Sequence, residues 1–318
     1  MQSQCIFSVK TPVGPPVEII RHTFSPSQSA KPAKRVSLVA GLHGDELEGL
    51  YICHRLMETL KNLEEQNAFK GEVHIYPAVN PQALETGTRL WPFFSVDINR
   101  TFGETNAPSL VTDTSRTLLE DLKSHSDLVV DFHASNLHLM ELPQIRIIKD
   151  FEKKLVPLAK LCNVDLVWVH PHAEIFESTL GYNLNRAKVP TLVIESGICL
   201  RIHKNYCDQI ILGILNLLRQ TGVIDSGEPL AEVTPPRLVQ PDYVAMIQAQ
   251  NAGLFVKQAE VGQMLKEGDK IGDLIGPDQV REEIRSPCFG LLFTLREHPL
   301  TGKGAPLARI ATEKPFKP

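Results

Sequence analysis

Arg35, Val36, Ser37, Leu38, Val39 and Ala40 form a nearly unbroken apolar run closed by Gly41, and the segment after it carries Leu50, Cys53, Met57 and Leu60 at helical spacing. A strand without polar alternation is buried on both faces, as strands are inside a parallel sheet covered by helices. The same rhythm recurs, with strands expected over residues 73–76, 128–132, 166–169 and 191–194 and helices near 115–123, 151–161 and 206–220. This alternation predicts an α/β sandwich around a mixed, largely parallel sheet. In such sheets ligands sit beyond the carboxyl ends of the strands.

The texture changes after Asp225-Ser226-Gly227-Glu228-Pro229 and Pro235-Pro236. Helical periodicity stops, and short strands are expected over residues 244–250, 254–256, 270–275 and 291–296, punctuated by Gly262, Gly268, Gly276, Gly290 and Gly304. We therefore expect a first domain over residues 1–235 and a small all-β domain over 236–318, a division suited to 318 residues at roughly 150 per domain. No solenoid repeat or low-complexity tract is present, and residues 23–34 read as a surface connection.

Charge narrows the partners. The chain has 33 basic and 37 acidic side chains, a net charge of −4, so no bulk positive field recruits nucleic acid or an anionic membrane. A small-molecule partner is expected, with the number of subunits left open. Hydrophobic residues at 42% exclude a disordered chain. Cys5, Cys53, Cys162, Cys199, Cys207 and Cys288 show no C-x-x-C pair and read as reduced thiols. The first residues lack a basic and then apolar leader, and the longest apolar stretch, 210–218, is too short to span a bilayer, so cytoplasmic residence is expected.

The residues that carry chemistry follow the expected strands. In Gly41-Leu42-His43-Gly44-Asp45-Glu46, an imidazole and a carboxylate three apart at a helix start can project from one face, and this donor pair suits zinc. The plainer reading has Asp45, Glu46 and Glu48 complementing the helix N-terminus and His43 in a loop. His133, directly after the apolar run, offers a third ligand, and two histidines with one glutamate leave a coordination position open for water, the arrangement of a hydrolytic site. Asp131 is placed to orient an imidazole. Glu195, at the end of the apolar strand 191–194, has few uses other than pairing, metal binding or proton transfer, and is expected to be the general base. Asn99 and Arg100 suit a substrate carboxylate, and Arg89 a developing oxyanion, although loop arginines more often make surface ion pairs.

Taken in order, His43-Gly44-Asp45-Glu46, Asn80-Pro81, Gly87-Thr88-Arg89, Asp97-Ile98-Asn99-Arg100-Thr101-Phe102, Asp131-Phe132-His133 and Ile194-Glu195-Ser196-Gly197 resemble the motifs of the succinylglutamate desuccinylase/aspartoacylase family, a branch of the zinc-carboxypeptidase-like fold. The resemblance covers about residues 35–230. It implies a zinc-dependent deacylase acting on an N-acyl amino acid or similar small amide, with one Zn2+ per chain. His43, Glu46 and His133 would be the ligands, Glu195 the base, Asn99 and Arg100 the carboxylate site, and Arg89 the group polarising the scissile carbonyl. Arg186 resembles a second carboxylate-binding arginine of the aspartoacylases. The Arg89–Arg100 separation is closer to that of bacterial relatives, so acetyl-aspartate is not carried over as substrate.

The tail has its own resemblance. Ala252-Gly253-Leu254-Phe255, the stretch from Val261 to Gly272 and Arg285-Ser286-Pro287-Cys288-Phe289-Gly290 are similar to the biotinyl/lipoyl barrel-sandwich pattern. Residues 276–283 contain no lysine to carry a prosthetic group, so the tail is expected to cover or narrow a cleft instead. His170-Pro171-His172 reads as a loop rather than a second metal site, and His54 as a packing or surface residue of a helix. Two rival functions remain: a metallocarboxypeptidase acting on peptides, and a non-catalytic binding module with a relic site.

Overall fold

The computed structural model describes residues 1–26, 34–103, 108–225, 227, 232–278 and 281–316. In chain order the first part contains β1 (Gln2–Val9), β2 (Val17–Phe24), β3 (Arg35–Val39), α1 (Leu47–Glu65), β4 (Glu72–Tyr76), α2 (Pro81–Thr86), α3 (Leu110–His125), β5 (Leu128–Ala134), β6 (Leu139–Ile148), α4 (Glu152–Ala159), β7 (Leu166–His170), α5 (Leu180–Arg186), β8 (Thr191–Gly197) and α6 (Lys204–Gln220). The tail adds β9 (Arg237–Val239), β10 (Val244–Gln248), β11 (Gly253–Lys257), β12 (Met264–Leu265), β13 (Lys270–Ile275), β14 (Arg281–Arg285), β15 (Gly290–Arg296), β16 (Leu300–Thr301) and β17 (Pro306–Thr312).

The apolar runs become the centre of one mixed sheet. β4, β3, β5 and β8 lie side by side and parallel, and β6 joins β8 antiparallel. Side-chain alternation divides this sheet between two layers. Val36, Leu38, Val130 and Phe132 pack with Ile52, Leu56 and Leu60 of α1 and Ile210, Ile214 and Leu217 of α6. On the opposite face Val39, Tyr76 and Val129 pack with Leu118 and Leu122 of α3 and Leu180 and Leu184 of α5.

Every strand and helix expected in the first part is present, with α3 longer than its apolar core and α4 shorter. Five elements were not anticipated, among them the six-residue α2. β1 and β2 form a hairpin whose first strand is largely exposed, so it lacks an apolar signature. β2 extends to Phe24, into the segment expected to be a loop, of which residues 27–33 lie outside the described ones. β6 was masked by Glu141, Pro143, Gln144 and Arg146, and α5 is seven residues long.

After α6 the described chain has strands and one short 3-10 turn. Of the segment expected to separate the two parts, Ser226, Glu228 and Pro229 lie outside the described residues, as do Gln279 and Val280 of the lysine-free turn. Two antiparallel sheets, β14-β13-β11-β16 and the β12, β15, β17 and β10 group, enclose Phe255, Ile271, Leu274, Leu292, Leu295 and Ile310. Strand pairing also crosses from the first part to the tail twice, β9 with β7 and β15 with β6.

At the second junction Thr294 faces Glu141 across the ladder. Glu141 is fully buried, and its carboxylate accepts hydrogen bonds from Gln144 (3.0 Å) and Arg146 (2.6 Å) of the first part and from Thr294 (3.2 Å) and Arg309 (2.7 Å) of the tail. Replacing it by alanine takes the carboxylate partner from Arg309 and leaves Arg146 with Glu195 alone. We expect Glu141→Ala to lower unfolding stability by about 3 kcal/mol, the low end for broken buried pairs because both arginines keep some water access. Urea denaturation reads this directly; a loss under about 1 kcal/mol would show that the junction does not depend on the carboxylate.

Candidate active site

The first motif is shaped by its glycines. Gly41 turns the chain out of β3 with φ +72°, and a Cβ on Gly44 would lie 1.9 Å from the carbonyl carbon of Ala83. That close approach seats the loop on α2, whose N-terminus is capped by Asn80: its Oδ1 accepts the N–H of Ala83 at 3.1 Å, while its own N–H binds the carbonyl of Gly41. The Asn80-Pro81 pair is therefore a support for the His43 loop. The loop ends at Glu46, the N-cap residue of α1 and a position that favours an anion.

The carboxylate of Glu46 is the meeting point. It binds His43 Nδ1 at 2.7 Å and His133 Nδ1 at 2.9 Å, and accepts the backbone N–H of Ala134 at 3.1 Å. His43, Glu46 and His133 are all buried, and each offers a ligand atom within 4.8 Å of the others. The far side of each ring is fixed, His43 Nε2 donating to Asp97 at 2.9 Å and His133 Nε2 to Asp131 at 2.9 Å. Asp131 thus orients His133, as expected; the matching role of Asp97, 54 positions from His43, has no sequence signal.

These contacts set the charge states. Burial opposes a charged imidazole, but Asp131 and Glu46 together raise His133 well above its usual value. Burial likewise opposes charge on His43, and Glu46 and Asp97 raise it. Burial pushes the Glu46 carboxyl upward, yet the two imidazoles hold it far below the usual range. A carboxylate only accepts hydrogen bonds, so in this arrangement both rings carry protons on both nitrogens. Two Nδ1 atoms anchored from behind and aimed at one buried carboxylate form a donor set that fits a divalent cation, which would take the place of the two Nδ1 protons.

Glu195 stands beside this cluster because it pairs in register with His133 across β5 and β8. Burial raises its pKa, and Arg146 and His133 partly offset that. Arg146 reaches Glu195 at 3.2 Å while also holding Glu141, so the Glu141, Arg146 and Arg309 network ends on Glu195. Sequence reasoning missed Arg146 and Glu141 with the strand that carries them.

A cavity of about 380 Å³ opens in front of these groups. His43, Glu46, Arg89, Asn99, Arg100, His133 and Glu195 all line it, as does Arg309 from the tail. Arg89 bridges Glu46 (3.1 Å) and Asp97 (3.2 Å) and keeps 37% of its side chain exposed. Asn99 Oδ1 accepts the N–H of Leu180 at 2.9 Å, which fixes the amide beside α5. Arg186 is not brought to this cavity. Gly181, Tyr182 and Asn185 of α5 line it, whereas Arg186, turned about 100° from Asn185, lines a separate cavity with Arg116 and Lys123. His172 pairs with Asp150 and Glu177 at the surface, and His54 is exposed on α1. Among the described residues no helix is long and apolar enough to cross a membrane.

Known proteins share this architecture. A crystal structure of a succinylglutamate desuccinylase/aspartoacylase from Rhodobacter sphaeroides superimposes with a TM-score of 0.78 at 22% identity, covering 95% of this chain and 90% of that one. The product-bound ectoine utilization protein EutE (DoeB) of Ruegeria pomeroyi gives 0.77 at 19% identity, with 94% and 90% covered. In sequence, the N-alpha-acetyl-L-2,4-diaminobutyric acid deacetylase of Halomonas elongata is 23% identical over 283 residues, 86% of this chain and 81% of its own. The model of the succinylglutamate desuccinylase/aspartoacylase catalytic domain matches residues 32–221, more than half of the chain, and the chain belongs to that family.

Proposed function

We propose that this protein is a zinc-dependent hydrolase that cleaves the amide bond of an N-acyl amino acid or a similar small carboxylate-bearing amide. The observation that carries the reading is the convergence of His43, Glu46 and His133 beside Glu195, in a cavity also lined by Arg89, Asn99 and Arg100. His43 and His133 through Nδ1, with Glu46, would hold the zinc. Once bound, the ion supplies a Lewis acid that acidifies water and polarises a carbonyl oxygen.

The chain's own groups divide the remaining work. Asn99 and Arg100 bind the substrate carboxylate and set the distance from it to the scissile amide. Glu195 accepts a proton from the attacking water and returns it to the departing amine, a task suited to a carboxylate whose pKa is raised by burial. Arg89, held by Glu46 and Asp97, donates to the oxygen that becomes negative. Asp97 and Asp131 keep the two imidazoles in the orientation that presents Nδ1. The products are a carboxylate from the acyl half and a free amino acid.

Three outcomes are expected. Protein purified without added metal should contain about one zinc per chain by plasma mass spectrometry; His43→Ala and His133→Ala should lose it, and Asp97→Ala should bind it about 10- to 100-fold more weakly. Stoichiometric zinc in both histidine variants would remove the ligand assignment. Glu195→Gln should keep its zinc and bind substrate while kcat falls by about a hundredfold or more, and near-normal turnover would place the base elsewhere. Arg100→Ala should chiefly raise KM and Arg89→Ala chiefly lower kcat, each by about ten- to hundredfold, with a carboxylate-capped amide as control. Equal kcat/KM for the capped and free substrates would mean that Asn99 and Arg100 hold no carboxylate.

A further inference from the structure

Alternation along β8 puts Thr191, Val193 and Glu195 on one face. Across the antiparallel ladder Gln144 faces Glu195 and Arg146 faces Val193, so Ile148 continues the same face beyond Arg146. The guanidinium of Arg146 is committed to Glu141 and Glu195, which draws its charge toward the Glu195 end. Away from that end the cavity wall is made of Ile148, Phe151, Leu155, Phe176, Tyr182 and Val193. The rings of Phe151 and Tyr182 meet at 5.8 Å and 67°.

The amide of Asn185 and the hydroxyl of Thr191 at the border of this arm are consumed locally, and His170 Nε2 is buried without a partner. Asn185 donates to the carbonyls of Gly181 (2.8 Å) and Thr191 (3.0 Å) and accepts the N–H of Thr191 at 2.9 Å, and the Thr191 hydroxyl donates to the carbonyl of Val189. His170, beside Ile148 in register, brings no charge: burial pushes its pKa down to about 3, and Arg146 and Arg309 act in the same direction. A charged group entering the arm would exchange its water for apolar walls and a neutral imidazole, because the nearby guanidiniums of Arg146 and Arg309 are already paired with Glu141.

Position relative to the carboxylate site then decides which half of the substrate enters. Asn99 is tied to the N–H of Leu180, two residues before Tyr182 of the arm. In an α-amino acid the carboxylate and the side chain share one carbon, so a carboxylate held at Asn99 and Arg100 sends its side chain to the adjoining wall. The geometry points to an apolar side-chain pocket, and hence to N-acyl derivatives of aromatic or large aliphatic amino acids as the substrate class; this rests on the amidase reading given above.

Burying a phenylalanine or leucine side chain favours it over a charged one by about 10- to 100-fold. The zinc-loaded full chain should therefore hydrolyse N-acetylphenylalanine and N-acetylleucine with kcat/KM at least tenfold above N-acetylaspartate and N-acetyl-2,4-diaminobutyrate. Phe176→Ala, and independently Phe151→Ala, should lower the ratio of N-acetylphenylalanine to N-acetylalanine by about three- to tenfold. Preference for either charged substrate, or an unchanged ratio in both variants, overturns the pocket assignment and leaves the amidase intact. Calorimetry on zinc-loaded Glu195→Gln supplies a reading without turnover. Tighter binding of N-acetylphenylalanine than of N-acetylaspartate supports the pocket even if the unaltered chain cleaves neither, an outcome that removes only the amidase; equal or reversed binding overturns the pocket.

Discussion

A buried carboxylate tolerates its surroundings only when every lone pair is used, and Glu46 organises the centre of this protein on that condition. It collects two imidazoles, a guanidinium and a backbone N–H from three separated places in the chain. Each of those groups arrives by a different device: His43 on a glycine-shaped loop seated on α2, His133 at the end of a fully buried strand, Arg89 after the left-handed Gly87 that ends α2. The parallel β3–β5–β8 core makes the arrangement possible by bringing three strand ends into line.

A second buried carboxylate does a different task. Glu141 accepts bonds from both parts of the chain, and Arg146 carries its influence to Glu195. The tail contributes to this network. Its β17 supplies Arg309 to the cavity wall and to the counter-ion network, and Trp168 lies under both guanidiniums at 5.4 Å and 5.9 Å.

What was legible in the sequence followed strand ends. His43, Glu46, His133 and Glu195 each sit directly after or at the end of an apolar run, where period-two alternation and the rule for parallel sheets both apply. Residues whose role depends on distant partners were not legible. Asp97 reads as part of a loop motif until His43 is beside it, and β6 interrupts its apolar pattern with groups that face a cavity rather than a core. Arg186 failed for a geometric reason: a one-residue step along α5 turns a side chain by about 100°, so Asn185 faces the site and its neighbour faces elsewhere.

The two halves of the proposed chemistry depend on opposite treatments of like groups. Glu46 and Asp97 are surrounded by imidazole and guanidinium donors, which hold their carboxyls well below the usual range and keep them acceptor-only. Glu195 has one arginine, shared with Glu141, and burial raises its pKa. Carboxylates driven apart in this way can hold a cation and move a proton within one cavity, because the group that must remain charged and the group that must change charge are no longer alike. The shared arginine is what limits the rise: bound to Glu195 alone it would favour the ionised form more strongly, and Glu141 draws part of that charge away. The tail, by holding Glu141 through Thr294 and Arg309, therefore bears on how readily Glu195 exchanges its proton.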